Sequence, residues 1–229
     1  MDLTPKNTLD VIQKRFGLSA FCKDEELPIE IPNRTRYSLA YLFNDLGFKE
    51  GAEIGVETGG YSEWIFKHCE GVRLHCIDPW LAYPGYRTHV PQEQQDSFFA
   101  ETRKRLLPFN CNIMRKFSLE AVREFDDESL DFVFIDGNHD FINCANDIHE
   151  WQKKVKIGGI VAGHDYVRLY NYTEMHVAAV VDAYTEAYRI KPWFIFGLKE
   201  QRDGYVRDIP RTWMWVKDVL LKVRIKRGR

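Results

Sequence analysis

The sequence predicts an α/β fold built on a mainly parallel sheet. Short apolar runs rich in β-branched and aromatic residues alternate with amphipathic helical segments, as parallel sheets with crossover helices require. The last two runs, "PWFIFGL" and "TWMWVKD", break that rhythm. A short charged link without a helix joins them and cannot make a parallel crossover, so they should pair antiparallel. Of 229 residues 45% are hydrophobic and 14% aromatic, enough for one sizeable core.

Taken in order, residues 1–35 read as a helical appendage and linker. "TLDVIQKRF" spaces Leu9, Ile12 and Phe16 helically, and "KDEELPIEIPNR" is charged and carries two prolines. This N-terminal helix would suit a homodimer contact. Residues 36–218 form the main domain. It opens with the helix "YSLAYLFNDLGF", and "AEIGV" is then a strand, "YSEWIFKHC" a helix and "RLHCID" a strand. Residues 79–95 are a long loop, and "QDSFFAETRKRLLPF" is a helix. "NCNIMRKF" holds the third strand and "SLEAVREF" a short helix. "LDFVFID" is the fourth strand, "CANDIHEWQKKV" a helix, "GGIVAGHDY" the fifth strand and "EMHVAAVVDAYTEAY" a helix. The closing antiparallel pair brings the count to seven strands. Residues 219–229 are a basic tail, either solvated or anion-binding.

The formal charge of −2 gives no general attraction to nucleic acid or anionic membrane. No apolar stretch approaches the roughly 18 residues of a membrane span, and the N-terminus lacks a signal-peptide core. Five scattered cysteines without zinc spacing (Cys22, Cys69, Cys76, Cys111 and Cys144) read as reduced thiols. A cytoplasmic location is expected.

Ligands on such sheets bind at the carboxyl ends of the strands. "EIGVETGGYS" is a strand, a glycine-rich turn and a helix start, and Asp78 ends the next strand 23 residues after Gly55. A dinucleotide fingerprint needs a glycine where Glu57 stands. A carboxylate there repels a pyrophosphate but suits a cofactor with an ammonium group, which favours S-adenosylmethionine over NAD.

The chain resembles the class I S-adenosylmethionine-dependent methyltransferases. "EIGVETGGYS" resembles their first motif and "CIDPW" their acidic second motif. "DFVFIDGNHDF" and "VKIGGIVAGHDY" resemble the fourth and fifth strands, and "WFIFG" and "WMWVK" the closing pair. The resemblance implies a Rossmann-like sheet of seven strands, the last antiparallel, with helices on both faces. It implies that Glu53, Gly55 and Gly59 surround the methionine part of the cofactor. Tyr61 and Ser62 would serve its carboxylate, Asp78 its ribose, and Pro79, Trp80 and Ser118 its adenine. Asp136 would stand at the methyl end.

Methyl transfer needs alignment and, for a hydroxyl acceptor, removal of a proton. Asp136 and Asp165 end neighbouring strands, so their carboxylates should converge. Their placement is similar to the macrolide-sugar and catechol types of small-molecule O-methyltransferase. There a divalent metal such as Mg²⁺ assists, and Asp136, His164 and Asp165 would be its ligands here. Asn138 stands where the macrolide-sugar type has its acidic base and cannot take a proton. His139 is the next candidate, since free imidazoles titrate at about 6.5. The expected catalytic set is Asp136, His139 and Asp165, with Asn138 and Asp140 as structural caps. Tyr83, Tyr86, Arg87 and His89, with Arg168, Tyr170 and Tyr172, are candidates to line the pocket of a small-molecule acceptor. Two rival functions stay open: a nicotinamide-dependent oxidoreductase, and a non-catalytic S-adenosylmethionine-binding module.

Overall fold

The computed structural model describes residues 3–19, 26–83, 90–168, 175–198, 200, 203–204 and 210–219. Tyr86, Arg87, His89, Tyr170, Tyr172, Cys22 and nearly all of the basic tail lie outside them. Among the described residues no helix is long and apolar enough to cross a membrane.

One sheet organises the chain. Its strands are β1 (Ile29–Ile31), β2 (Glu50–Ile54), β3 (Arg73–Asp78), β4 (Cys111–Arg115), β5 (Leu130–Ile135), β6 (Val155–Tyr166), β7 (Trp193–Phe196) and β8 (Arg211–Val216). They lie in the order β1-β7-β8-β6-β5-β2-β3-β4. Only β8 runs against the rest, pairing antiparallel with both β6 and β7.

The sheet has eight strands where the sequence predicts seven. The extra one is β1, which lies in the segment read as a linker. Ile29 and Ile31 pair in parallel with Phe194 and Phe196 and are buried. Three residues between prolines show no period of their own, so only docking onto β7 reveals them as a strand.

Alternation along the strands separates two cores. Phe132 and Phe134 of β5 face one side, Val133 and Ile135 the other. The first side is covered by α1 (Pro5–Phe16), α2 (Tyr37–Asp45), α3 (Gly60–His68) and α4 (Gln92–Leu106). The second is covered by α5 (Ser118–Ala121), α6 (Phe141–Lys154) and α7 (Val177–Ala187). Helix α1 starts on a Thr4 cap with Pro5 behind it and stops at Gly17, in the left-handed region. Its apolar face is used within the chain: Ile12 is wholly buried, and the Phe16 and Phe196 ring centres lie 5.4 Å apart.

The chain leaves β2 for β3 and β4 on one side, then returns to β5 on the other. That reversal is the switch point at which parallel sheets bind ligands. It sets the exits of β2 and β5 side by side, with the Asp136 N–H donating to Ile54 O at 2.7 Å.

Candidate active site

The turn after β2 is held by packing and by one acid. Gly55 has φ of 87°, and a Cβ there would lie 2.1 Å from the Asp136 carbonyl oxygen. Glycine is therefore required where the two strand exits meet. Asp78 clamps the turn. Its Oδ2 accepts from the N–H groups of Val56 and Glu57, each at 3.0 Å, and its Oδ1 from Trp80 N–H at 2.8 Å. The Glu57 carbonyl in turn accepts from Trp80 Nε1 at 2.7 Å and Thr102 Oγ1 at 2.8 Å. Burial still raises the Asp78 carboxyl above its usual range, against those three N–H groups.

Beside this turn lies a cavity of about 290 Å³. Gly55, Asp78, Pro79 and Ser118, all predicted to bind cofactor, line it. Ile77, Phe98, Phe117 and Leu119 give it apolar walls. Tyr83 also lines it, its hydroxyl accepting from Asn138 Nδ2 at 3.4 Å. Among the described residues its wall holds three acids, Glu57, Asp78 and Asp147, and no lysine, arginine or histidine. Trp80 is not in the wall. Its indole is wholly buried, 4.9 Å from the Phe99 ring.

Glu53, Tyr61 and Ser62 lie on the opposite face of the sheet from α5 and α6. Glu53 is 2% exposed, accepts from the Ser62 hydroxyl and is pushed up to about 8 by burial. The Tyr61 hydroxyl donates to Arg36 O at 2.9 Å. Gly59 caps α3 with φ of 75°.

The exits of β5 and β6 bring a charged cluster together. His139 Nε2 lies 2.8 Å from Asp165 Oδ2. His164 Nδ1 lies 3.7 Å from Asp165 and 3.9 Å from Asp136, beyond hydrogen-bonding range. Arg36 Nη1 donates to Asp136 Oδ2 at 3.1 Å. Burial pushes Asp165 up, but its two histidines outweigh that and hold it well below the carboxylate range. Asp136 is driven the other way, by burial first and the Asp165 charge second, against Arg36. Asp165 has φ of 59°, a strained value for a non-glycine residue and a frequent sign of a functional position. Asp140 caps α6, accepting from Ile142 and Asn143 N–H at 2.9 and 3.1 Å, and Asn138 Oδ1 accepts from Asp140 N–H at 3.1 Å. Arg168 is paired with Asp182.

One donor atom from each of Asp136, His139 and Asp165 lies within 4.8 Å of the others. The expected ligand set named His164 instead. His139 comes closer because the turn after β5 folds it over the Asp165 carboxylate. Two site residues were not foreseen. Arg36 lies 100 residues from Asp136 and nothing local marks it. Asp147 left a signal, since it shares the buried stripe of α6 with Cys144, Ile148 and Trp151.

Residues 52–166 match the family described as a methyltransferase domain. No curated protein sequence matches the chain. Among solved structures, the O-methyltransferase from Bacillus cereus in complex with SAH aligns at TM-score 0.56 and 16% identity, over 93% of this chain and 91% of that one. The O-methyltransferase TomG from Streptomyces achromogenes, involved in tomaymycin synthesis and solved with SAM, aligns at 0.53 and 16%, over 95% and 91%. Spermidine synthase from Thermotoga maritima aligns at 0.53 and 12%, over 81% and 59%. At these identities the likeness is one of fold. The family match covers half of the chain, and the chain belongs to the methyltransferase-domain family, as a class I S-adenosylmethionine-dependent methyltransferase.

Proposed function

We propose that the protein methylates a hydroxyl of a small-molecule acceptor, with His139 as the base. The observation that carries this reading is the 2.8 Å contact of His139 Nε2 with Asp165. An ionised Asp165 fixes the imidazole with its proton on Nε2, which leaves Nδ1 able to take a proton. Asp136 and Arg36 stand beside this pair and would orient the acceptor. S-adenosylmethionine supplies a methyl group on a positively charged sulfur. The cavity suits it: its acids tolerate a cation and repel the pyrophosphate of a nicotinamide dinucleotide. Gly55, Asp78, Pro79 and Ser118 would hold the adenosine part. Glu53, Gly59, Tyr61 and Ser62 would serve the methionine part, and Trp80 would brace the turn from within the core.

The three-donor cluster favours a second reading, a divalent cation held by Asp136, His139 and Asp165. A nitrogen donor suits transition metals better than Mg²⁺, which prefers oxygen alone. A bound cation would lower the acceptor hydroxyl's pKa. It would also occupy His139, so the two readings exclude one another.

Calorimetry with S-adenosylmethionine, its demethylated product and NAD tests the cofactor; binding of NAD alone refutes it. His139→Ala is expected to keep cofactor affinity and to lower turnover at least tenfold, about 1.4 kcal/mol in the barrier. Unchanged turnover removes His139 from the mechanism. Activity abolished by EDTA and restored by a transition metal replaces the base with the cation.

A further inference from the structure

Asp147 is an acid to which neither the methyl transfer nor the fold gives a task. It sits in the middle of α6, 4% exposed, and it lines the cavity. A carboxylate so deeply buried needs donors. The protein supplies one, the Ser118 hydroxyl, which donates to Oδ1. Ser118 in turn accepts from Trp151 Nε1 at 2.7 Å. The relay runs one way. The single Ser118 proton is committed to Asp147, so Ser118 has none to offer a ligand.

Oδ2 has no hydrogen-bond partner among the described residues. It lies beside Gly137, 3.5 Å from where a Cβ on that residue would sit, and Gly137 is itself part of the cavity wall. The cavity that Asp147 lines also has the flat and branched apolar groups of Phe117, Leu119, Phe98 and Ile77 in its walls. Such a slot suits a planar heterocycle, and its acceptor asks that heterocycle for an N–H. The nearby ribose candidate, Asp78, already accepts three backbone N–H groups, whereas Asp147 is oriented and short of donors.

We propose that Asp147 selects the cofactor's base, its Oδ2 accepting a hydrogen bond from the exocyclic amine of an aminopurine. This rests on the reading that the cavity holds the adenosine part of S-adenosylmethionine. Ser118 is then a positioning residue that turns the acid toward the base. Burial, which pushes the Asp147 carboxyl up to about 7 against the Ser118 hydrogen bond, leaves it in want of the donor that the amine brings. An acceptor left unpaired rejects an analogue that lacks the matching donor, and this makes the contact selective as well as binding.

The test is calorimetry with S-adenosylhomocysteine and with its counterpart in which purine replaces adenine, so that hydrogen stands for the 6-amino group. The wild-type protein is expected to prefer the adenine compound at least tenfold, about 1.4 kcal/mol. In Asp147→Asn, Ser118 donates to the amide oxygen and turns the amide NH₂ toward the cavity, where it meets the amine donor to donor. The preference should fall to within about threefold. Equal wild-type affinity for the two compounds overturns the proposal, and so does a preference unchanged in a folded Asp147→Asn. The wild-type comparison stands even if the variant does not fold. Failure of both compounds to bind the wild type is a different result, which removes the cofactor reading itself.

Discussion

The cavity and the charged cluster each hold two buried or half-buried acids, and loss of solvent raises the pKa in all four cases. In the cavity nothing overcomes it. Among the described residues, Asp78 and Asp147 meet only N–H groups and one hydroxyl, no cation lines the wall, and both carboxyls stay raised. In the cluster, the two histidines and a like charge pull the pair apart. Histidines bring Asp165 down, and Asp165 then helps to push Asp136 up. Two acids driven in opposite directions are a frequent mark of acid–base chemistry, whereas two acids raised together mark a site that waits for donors.

The largest expected effect is on the cavity side. Burial pushes the folded Asp147 carboxyl up to about 7, against about 3.9 for an unfolded aspartate. As pH rises from about 4, the unfolded chain releases this proton first. The folded state is therefore progressively disfavoured up to about pH 7. Asp147→Asn should then stabilise the ligand-free protein at pH 8, by as much as about 4 kcal/mol, with the gain vanishing near pH 4. A stability difference that is the same at both pH values would break the contrast between the two regions.

Next is the contact that joins them. Gly55→Ala places a Cβ 2.1 Å from the Asp136 carbonyl, at a φ of 87°. It should lower unfolding stability by about 3 kcal/mol, read in urea. A loss under about 1 kcal/mol would mean that the two exits are not rigidly coupled.

The smallest effect separates cap from catalyst. Asp140→Ala removes the acceptor of two α6 N–H groups and should cost about 1 kcal/mol of stability. If thermal melting shows no loss, the α6 start is held by other contacts, and the division of roles between His139 and Asp140 loses its support.

The sheet was legible because its signals are local. Alternation in "LDFVFID" and the helical spacing of "CANDIHEWQKKV" are written into consecutive residues. The exits were legible for the same reason, since an acid after an apolar strand stands out. β1 was not, because three residues carry no period and its partner lies about 165 residues away, Ile29 opposite Phe194. Trp80 illustrates another limit. Sequence places it after the acidic motif but does not say which way the chain turns, and a φ of 42° turns the indole inward.

By itself, then, the sequence determined the parallel α/β layout, the antiparallel finish, the glycine turn and Asp78, Asp136, His139 and Asp165 as candidates. Hydrophobic period and turn chemistry act over a few residues and can be read in one dimension. Tertiary structure alone decided which of those candidates meet. It joined Arg36 to Asp136, brought His139 rather than His164 within hydrogen-bonding distance of Asp165, and turned Asp147 into the cavity behind Ser118. These outcomes depend on strand order and helix rotation, which bring together residues that share no neighbourhood in the chain.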